Sequence, residues 1–235
     1  MSAKPESSLI STSLASASSL VLLQLISRAV TFVLNQLLVR LVSPQVFGTA
    51  AIQFELLLST ILFLSREGTR NALLRAGKGT SALGTIQANV ALLPVLLGVP
   101  ITVASTLTYL CASSSTTTAQ PHFTLSVLIY ALAAFCELLS EPLYIRAQHE
   151  LRFDVRVRIE GAAVLAKAIA AFIILVSTSP QWALVAFAAG QAAYGLTMLL
   201  GFLYTYAGSV EWWPKKTSTK IHGKCVIHHV GMTLS

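Results

Sequence analysis

The first apolar stretch of the chain carries polar side chains at regular intervals. Gln24, Arg28, Thr31 and Asn35 are separated by four, three and four residues. In a helix these intervals place the side chains on one face. An arginine in the middle of a lipid-crossing helix costs about 2.5–3.5 kcal/mol on insertion scales, so it usually faces a protein interior or an aqueous cavity. The spacing therefore predicts an interior face that handles a charged group at the middle of a membrane.

Other apolar stretches also contain ionisable residues. Glu137 and Glu141 are one helical turn apart, and Pro142, which lacks a backbone N–H, follows at once. Two carboxylates beside a break in a helix are suited to a cavity or an ion site. Glu160 and Lys167 are seven residues apart, which places them on one face of a further helix.

Amide side chains extend this polar set. Gln53 and Glu55 lie on different faces of the second stretch, and Gln191 lies within the small-residue run "AAGQAAYG". Small residues allow two helices to approach closely. Together these residues place cations, acids and amides in at least four apolar stretches, which a bundle would not need for folding alone.

Each ionisable residue also has a purely structural interpretation. Arg28 and Lys167 could be neutralised in buried ion pairs with a glutamate of another span. Glu160 could lie at the membrane interface, and Glu137 and Glu141 could be hydrated near a helix end. These alternatives stay open at the level of sequence.

The composition indicates that the residues above are positioned by membrane-spanning helices. The 235 residues are 54% hydrophobic and 11% charged, whereas soluble domains carry about a quarter charged residues. Runs of roughly 20 apolar residues cross a bilayer as helices, since lipid leaves no partner for an unpaired backbone. We predict an all-α polytopic membrane protein with about six spans: 14–39, 46–65, 86–110, 123–145, 159–177 and 182–206.

Lysine and arginine predict the orientation of these spans. They concentrate in the segments that share a side with the N-terminus, and Arg40 alone lies in the opposite loops. The positive-inside rule then places both termini in the cytosol. The predicted organisation is a short cytosolic N-terminus (1–13, with no cleaved signal peptide), a six-helix lobe (14–206) and a basic cytosolic tail (207–235).

Several other function classes are disfavoured. The net charge of +7 is divided among loops rather than collected on one polar face, so nucleic acid is not an expected partner. No phosphate-binding glycine loop or hydrolase motif occurs, and we expect neither an enzyme nor a cofactor. The three cysteines and the histidines of the tail show no metal-ligand spacing. The basic loop 66–84 is either an amphipathic segment on anionic lipids or an ordinary positive-inside loop.

Three stretches resemble the eukaryotic Rft family. They are "SRAVTFVLNQLLVRLVSPQVFG", "LFLSREGTRNALLRAG" and "ELLSEPLYIRAQHELRF". The similarity extends from about residue 18 to about residue 216, and the end of the tail does not resemble the family. The family belongs to the multidrug/oligosaccharidyl-lipid/polysaccharide exporter group.

This resemblance implies a fold and a function. The fold would be two six-helix lobes that face one another around a central cavity, with alternating access. The function would be that of a transporter, or a helper, that moves dolichol-linked Man5GlcNAc2 from the cytosolic to the lumenal leaflet of the endoplasmic reticulum for N-glycosylation. Rft proteins are roughly twice as long as this chain. We therefore expect one lobe of such a protein, inactive unless a second lobe or copy joins it.

The resemblance also implies site residues, each at a position that matches the family pattern. The expected substrate-binding residues are Arg28, Asn35, Arg66, Arg70 and Lys167. The expected supporting acids, to which Glu55 is added from its place in a span, are Glu55, Glu67, Glu137, Glu141 and Glu160. Arginine is favoured for the pyrophosphate because its planar fork bonds two phosphate oxygens at once.

Two further functions stay open. One is a cation-coupled small-molecule antiporter of the same superfamily, in which Glu137 and Glu141 relay a proton or sodium ion. The other is a membrane scaffold for glycosylation enzymes that transports nothing.

Overall fold

Two residues separate the end of the first described helix from the start of the second. The computed structural model describes residue 25 and residues 28–75, 90–150, 152–206, 217–221 and 224–228. Helix α1 comprises residues 28–41. Ser43 then caps the next helix, because its hydroxyl accepts a hydrogen bond from the Val46 amide at 3.4 Å. Pro44 occupies the first helical position, where its missing N–H has no cost.

Helix α2 is continuous and contains two π-helical segments. It is composed of α-helical and π-helical pieces: Pro44–Gly48 (α), Thr49–Phe54 (π), Glu55–Leu62 (α), Phe63–Glu67 (π) and Gly68–Arg75 (α). The predicted end near residue 65 is therefore wrong. Arg66 and Arg70, which we had expected in a cytosolic loop, belong to this helix and face the carboxylates of another helix.

Four more long helices and a hairpin follow. The helices are α3 (Leu93–Ala112), α4 (Phe123–His149), α5 (Phe153–Ser177) and α6 (Ala183–Thr205). A single turn, Ser115–Thr118, lies between α3 and α4, and a 3₁₀ turn, Pro180–Trp182, precedes α6. Strands β1 (Thr217–Ile221) and β2 (Lys224–His228) pair antiparallel, with Thr217 opposite His228. This hairpin in the tail was not predicted.

The long helices confirm the predicted class of a polytopic all-α membrane protein. Within the described residues, five segments are long and apolar enough to cross a membrane: Pro44–Ala72, Leu93–Ala112, Phe123–Gln148, Phe153–Ser177 and Pro180–Thr205. They correspond to the second to sixth predicted spans. The first predicted span, 14–39, lies partly outside the described residues.

Two local predictions differ from the structure. Pro142 lies inside α4, which continues to His149 without a break, because neighbouring helices can support a proline within a membrane helix. Helix α5 begins at Phe153 rather than near residue 159. Glu160 therefore lies about two turns from the start of the helix. Arg156, which is one turn nearer that start, forms an ion pair with Glu160.

Helix α6 packs between α4 and α5, as the small residues around Gln191 predict. A Cβ atom added to Gly195 would lie 2.7 Å from the carbonyl oxygen of Ala133 in α4. One added to Gly190 would lie 2.8 Å from the carbonyl oxygen of Lys167 in α5. Only glycine allows these approaches, and they bring the backbones of the three helices together.

Two apolar clusters hold the bundle. The first surrounds Phe54 of α2, whose ring centroid lies 4.9 Å from that of Tyr130 and 6.0 Å from that of Phe123. The second joins α4, α5 and α6 around Tyr144, Ile159 and Phe202. Lipid tails are as apolar as these side chains, so close packing rather than removal from water stabilises both clusters.

Candidate functional site

A groove of about 780 Å³ lies between α1, α2, α4, α5 and α6. Helix α2 contributes one face at helical spacing: Phe47, Ala50, Ala51, Glu55, Leu58, Ser59, Leu62, Phe63, Arg66 and Glu67. At 1.5 Å per residue this face is about 30 Å long, which matches the hydrocarbon thickness of a bilayer. The groove therefore follows α2 across most of the membrane.

One ion pair crosses the groove between α2 and α5. The Nζ atom of Lys167 lies 3.4 Å from Oε2 of Glu55. Both residues lie near the middle of their spans, and their side chains are 36% and 51% exposed. The pair is thus accessible from the groove, and a strong anion could replace the carboxylate as the partner of Lys167.

A second group of charged residues lies toward the C-terminal end of α2. Arg66 Nη1 is 4.0 Å from Oε2 of Glu137 and 3.7 Å from Oε2 of Glu141, both in α4. The amide nitrogen of Gln191 in α6 donates to Oε1 of Glu137 at 2.8 Å. Arg66, Glu137 and Gln191 all line the groove. Arg66 is roughly 15 Å from Glu55 along the helix axis, so the two cations are at different depths.

A third group, the Tyr144 cluster, consists of Arg70, Glu141, Tyr144, Arg156 and Glu160. Arg70 binds the carboxylate of Glu141 with both Nε and Nη2, the latter at 2.8 Å. The guanidinium carbons of Arg70 and Arg156 lie 4.2 and 4.7 Å from the centre of the Tyr144 ring, within cation–π range. Arg156 also bonds Glu160 at 2.9 Å. This cluster fastens α2 and α5 to α4.

A smaller cluster lies around the ends of α4 and α6. Arg146 bonds Glu150 at 2.8 Å, and the Tyr206 hydroxyl donates to the same carboxylate at 3.1 Å. The hydrogen bond from Arg146 lowers the pKa of Glu150, because it favours the charged form. These contacts join the end of α4 to the end of α6.

The structure divides the predicted site residues among the groove, the Tyr144 cluster and one position outside both. Six of them line the groove: Asn35, Glu55, Arg66, Glu67, Glu137 and Lys167. Arg70, Glu141 and Glu160 lie in the Tyr144 cluster instead, where their contacts are structural. Arg28 is exposed and lies outside the lining of the groove, about one turn before Thr31, which does line it.

Several groove residues were not assigned to the site from the sequence, Gln191, Tyr130 and Tyr194 among them. Gln191 had been noted only as an amide within a span, and Tyr130 and Tyr194 lie within apolar runs that hide them. The signal that could have found Gln191 is that it is polar and central in an otherwise apolar helix. The two tyrosines give no such signal, because aromatic residues are common in membrane helices.

Membrane-spanning helices around a groove lined by charged side chains define a polytopic membrane protein. Comparison with known proteins narrows this class. The family model described as Rft protein matches residues 12–230. The chain therefore belongs to the Rft protein family.

Curated relatives support this assignment. The Man(5)GlcNAc(2)-PP-dolichol translocation protein RFT1 of Dictyostelium discoideum is 32% identical over 203 residues, covering 84% of this chain and 37% of the relative. The protein of the same name from Yarrowia lipolytica is 34% identical over 222 residues, covering 85% and 32%. That from Saccharomyces cerevisiae is 29% identical over 226 residues, covering 82% and 39%. The chain thus spans between 32% and 39% of the length of these relatives. No solved structure matches it.

Proposed function

We propose that this chain forms one lobe of a protein that moves lipid-linked oligosaccharide diphosphate across the membrane of the endoplasmic reticulum. The substrate class comes from the relatives, which are named as translocation proteins for Man(5)GlcNAc(2)-PP-dolichol. Transfer from the cytosolic to the lumenal leaflet would supply the lipid-linked sugar for N-glycosylation. A second lobe, or a second copy, would cover the open side of the groove.

The observation that carries this proposal is the pair of cations at two depths of one membrane-long groove. Arg66 and Lys167 each face carboxylates of a neighbouring helix. A carboxylate keeps a buried cation stable while the groove is empty, since an unpaired buried charge is strongly destabilising. A diphosphate carries more negative charge than a carboxylate and can take over the cation, with charge-assisted hydrogen bonds as the gain.

The two cations also fit a substrate that changes depth. Arg66 lies toward the end of α2 that the lysine and arginine distribution places in the cytosol. Lys167 lies near mid-membrane. The diphosphate would meet Arg66 first and Lys167 second on its way to the lumenal leaflet.

Complementation of cells that lack their own family member tests this function. The chain would be expressed alone and joined to the remaining part of the Dictyostelium relative, each with and without Lys167→Gln. We expect the joined protein to restore glycosylation of a secreted reporter and to remove accumulated Man5GlcNAc2-PP-dolichol. Lys167→Gln should reduce this rescue about tenfold, since one hydrogen bond to a charged group contributes about 1.5–3 kcal/mol.

Two controls make the result specific. Lys167→Arg keeps the charge and should retain most of the activity. Arg158→Gln removes a positive charge from an exposed position outside the groove and should leave rescue unchanged. Equal rescue by Lys167→Gln and its parent would contradict the proposal and favour a scaffold that transports nothing.

A second candidate is a cation-coupled antiporter, and one feature of the groove favours it. Among the described residues, the lining contains three carboxylates, Glu55, Glu67 and Glu137, and two cations, Arg66 and Lys167. The extra carboxylate could bind a proton or a sodium ion. Transport into sealed vesicles that follows an imposed pH or sodium gradient would support this candidate, and gradient-independent transport would exclude it.

A further inference from the structure

Gln191 is the most deeply buried polar side chain of the groove. It is 2% exposed and lies near the middle of α6. Its amide nitrogen donates to Glu137, which is itself 5% exposed. Its amide oxygen accepts no hydrogen bond from any residue in the described part of the chain. The groove therefore contains a buried acceptor that awaits a donor.

The orientation of this amide follows from its neighbour. Gln191 presents its NH₂ group to Glu137, the arrangement that an ionised carboxylate requires because it can only accept hydrogen bonds. Turning the amide over would bring two acceptor oxygens together. The carbonyl oxygen consequently stays unpaired, which carries a free-energy cost for a buried acceptor. A ligand that donates a hydrogen bond at this point would remove that cost.

The neighbouring cations are already engaged. Arg66 faces Glu137 and Glu141, and Lys167 faces Glu55. The lining also contains the uncharged aromatic side chains of Tyr130 and Tyr194. A neutral polyol fits such a setting, because its hydroxyl groups donate to amide and carboxylate oxygens while its C–H faces pack against aromatic rings.

We propose that Gln191, with Glu137 and Tyr194, forms a saccharide subsite that accepts hydrogen bonds from the first sugars of the lipid-linked substrate. The identity of the ligand rests on the proposed function. Neither the sequence pattern nor the names of the relatives assign Gln191 and Tyr194 to the site, whereas Glu137 is also the carboxylate that faces Arg66.

The backbone places this subsite next to the diphosphate position. Gly190 precedes Gln191, and its missing Cβ lets α6 approach the carbonyl oxygen of Lys167 so closely that an added Cβ would lie 2.8 Å from it. Gln191 and Lys167 are thus held on adjoining helices at the same depth. A sugar that is bonded directly to a diphosphate requires this adjacency of its two binding groups.

Binding of two synthetic lipids to the whole chain in lipid nanodiscs tests the proposal. One probe is phytanyl diphosphate, and the other is phytanyl diphosphate that carries N,N′-diacetylchitobiose. We expect the wild-type chain to bind the sugar-bearing probe about tenfold more tightly, which is the effect of about one good hydrogen bond. Equal affinities of wild type for the two probes would overturn the proposal without any variant.

Substitutions then assign the preference to its residue. Gln191→Met keeps the length of the side chain and removes the acceptor, so it should abolish the preference and leave binding of the bare diphosphate intact. Gln191→Asn is a second, smaller change that retains the amide on a shorter side chain. It should lower the preference for the sugar-bearing probe only in part. Gln181→Met makes the same exchange at an exposed position before α6 and should behave as wild type.

The outcomes for the two proposals are distinct. Lys167→Gln should weaken both probes by a similar factor. If it weakens neither, the proposed role of the groove in binding a diphosphate fails, whatever Gln191 does. If Lys167→Gln weakens the binding of both probes but Gln191→Met retains the preference for the sugar-bearing probe, only the saccharide subsite is wrong. The same conclusion follows if Gln191→Met weakens the binding of both probes equally.

Discussion

Charged residues of this protein divide into exchangeable and fixed ion pairs, and exposure separates the two kinds. Glu55 and Lys167 are accessible from the groove, and their contact is single and 3.4 Å long. Glu141 is 1% exposed and holds Arg70 through two hydrogen bonds while Tyr144 covers the guanidinium. The first arrangement can yield a cation to a ligand, and the second stabilises the bundle.

The fixed pair predicts a large loss of stability when one partner is neutralised. Glu141→Gln keeps the size of the side chain but leaves the Arg70 charge without its carboxylate. Removing one partner of a buried pair costs about 3–5 kcal/mol. We expect a clear decrease in the midpoint of thermal unfolding in detergent micelles.

A surface pair provides the matched control for that experiment. Glu150→Gln removes the partner of Arg146, and their side chains are 38% and 43% exposed. Such pairs contribute about 0.5 kcal/mol or less, so the midpoint should change little. Equal effects of the two substitutions would show that the Arg70–Glu141 pair does not hold α2 in place.

Partners of this kind could not be read from the sequence. Spacing within one helix correctly separated Gln53, which accepts from Tyr109 at 2.9 Å, from Glu55, which faces the groove. Spacing within a helix does not predict which residues pair between helices. Lys167 could have paired with any of several glutamates, and its pairing with Glu55 depends on the rotation and position of α2 relative to α5. Those angles come from packing, which a single sequence does not display.

At the scale of elements, α6 is the helix that sets the distances within the bundle. Gly195 touches the backbone of α4, and Gly190 touches that of α5. The run "AAGQAAYG" predicted such contacts, since small residues mean close approach in membranes. The end of α2 and the start of α5 were harder to predict, because both are charged and resemble loops in composition. The structure shows that these residues are helical and that they form ion pairs with α4 and within α5.

Close packing of α6 predicts that a single methyl group at Gly195 destabilises the bundle. The Cβ of Gly195→Ala would lie 2.7 Å from a backbone oxygen of α4 that cannot turn aside. Overpacking of this kind costs about 1–3 kcal/mol. The expected result is a lower midpoint of thermal unfolding, measured in the same micelles.

Gly161 supplies the control for this prediction. It lies within α5, and an added Cβ there has no atom within 4 Å among the described residues. Gly161→Ala should keep or raise the midpoint, because alanine is the better helix former by about 1 kcal/mol. A Gly195→Ala protein as stable as Gly161→Ala would mean that α6 does not fit tightly against α4.

At the scale of the whole molecule, the open side of the groove requires a cover. Asn35, Glu55 and Lys167 are polar, partly exposed and placed within apolar helices. Lipid tails would leave their hydrogen bonds unmade at a cost of a few kcal/mol for a charged group. The chain spans between 32% and 39% of the length of the Dictyostelium, Yarrowia and Saccharomyces relatives. A further set of helices from the same family is therefore the cover that we propose.

The proposed direction of transport depends on the orientation of the bundle, which the charges predict. Arginine residues cluster in the last turns of α2 (66–75) and around the end of α4 and the start of α5 (146–158), whereas the turn between α3 and α4 contains no Lys, Arg, Asp or Glu. The positive-inside rule places the first two regions in the cytosol and the turn in the lumen. Arg66 would then be at the cytosolic end of the groove, where a substrate made on that side enters.

Cysteine labelling in sealed endoplasmic-reticulum vesicles tests this orientation. Cys111 is exposed in the last turn of α3, and Cys136 and Cys225 would be replaced by serine. A membrane-impermeant maleimide added outside should label Cys111 only after the vesicles are opened with detergent. In a second protein, Cys111→Ser combined with Arg152→Cys presents a thiol at an exposed position between α4 and α5. It should react at once in intact vesicles, because that position is predicted to face the cytosol. The reverse pattern would place Arg66 at the lumenal end, and the order in which a substrate meets Arg66 and Lys167 would then be reversed.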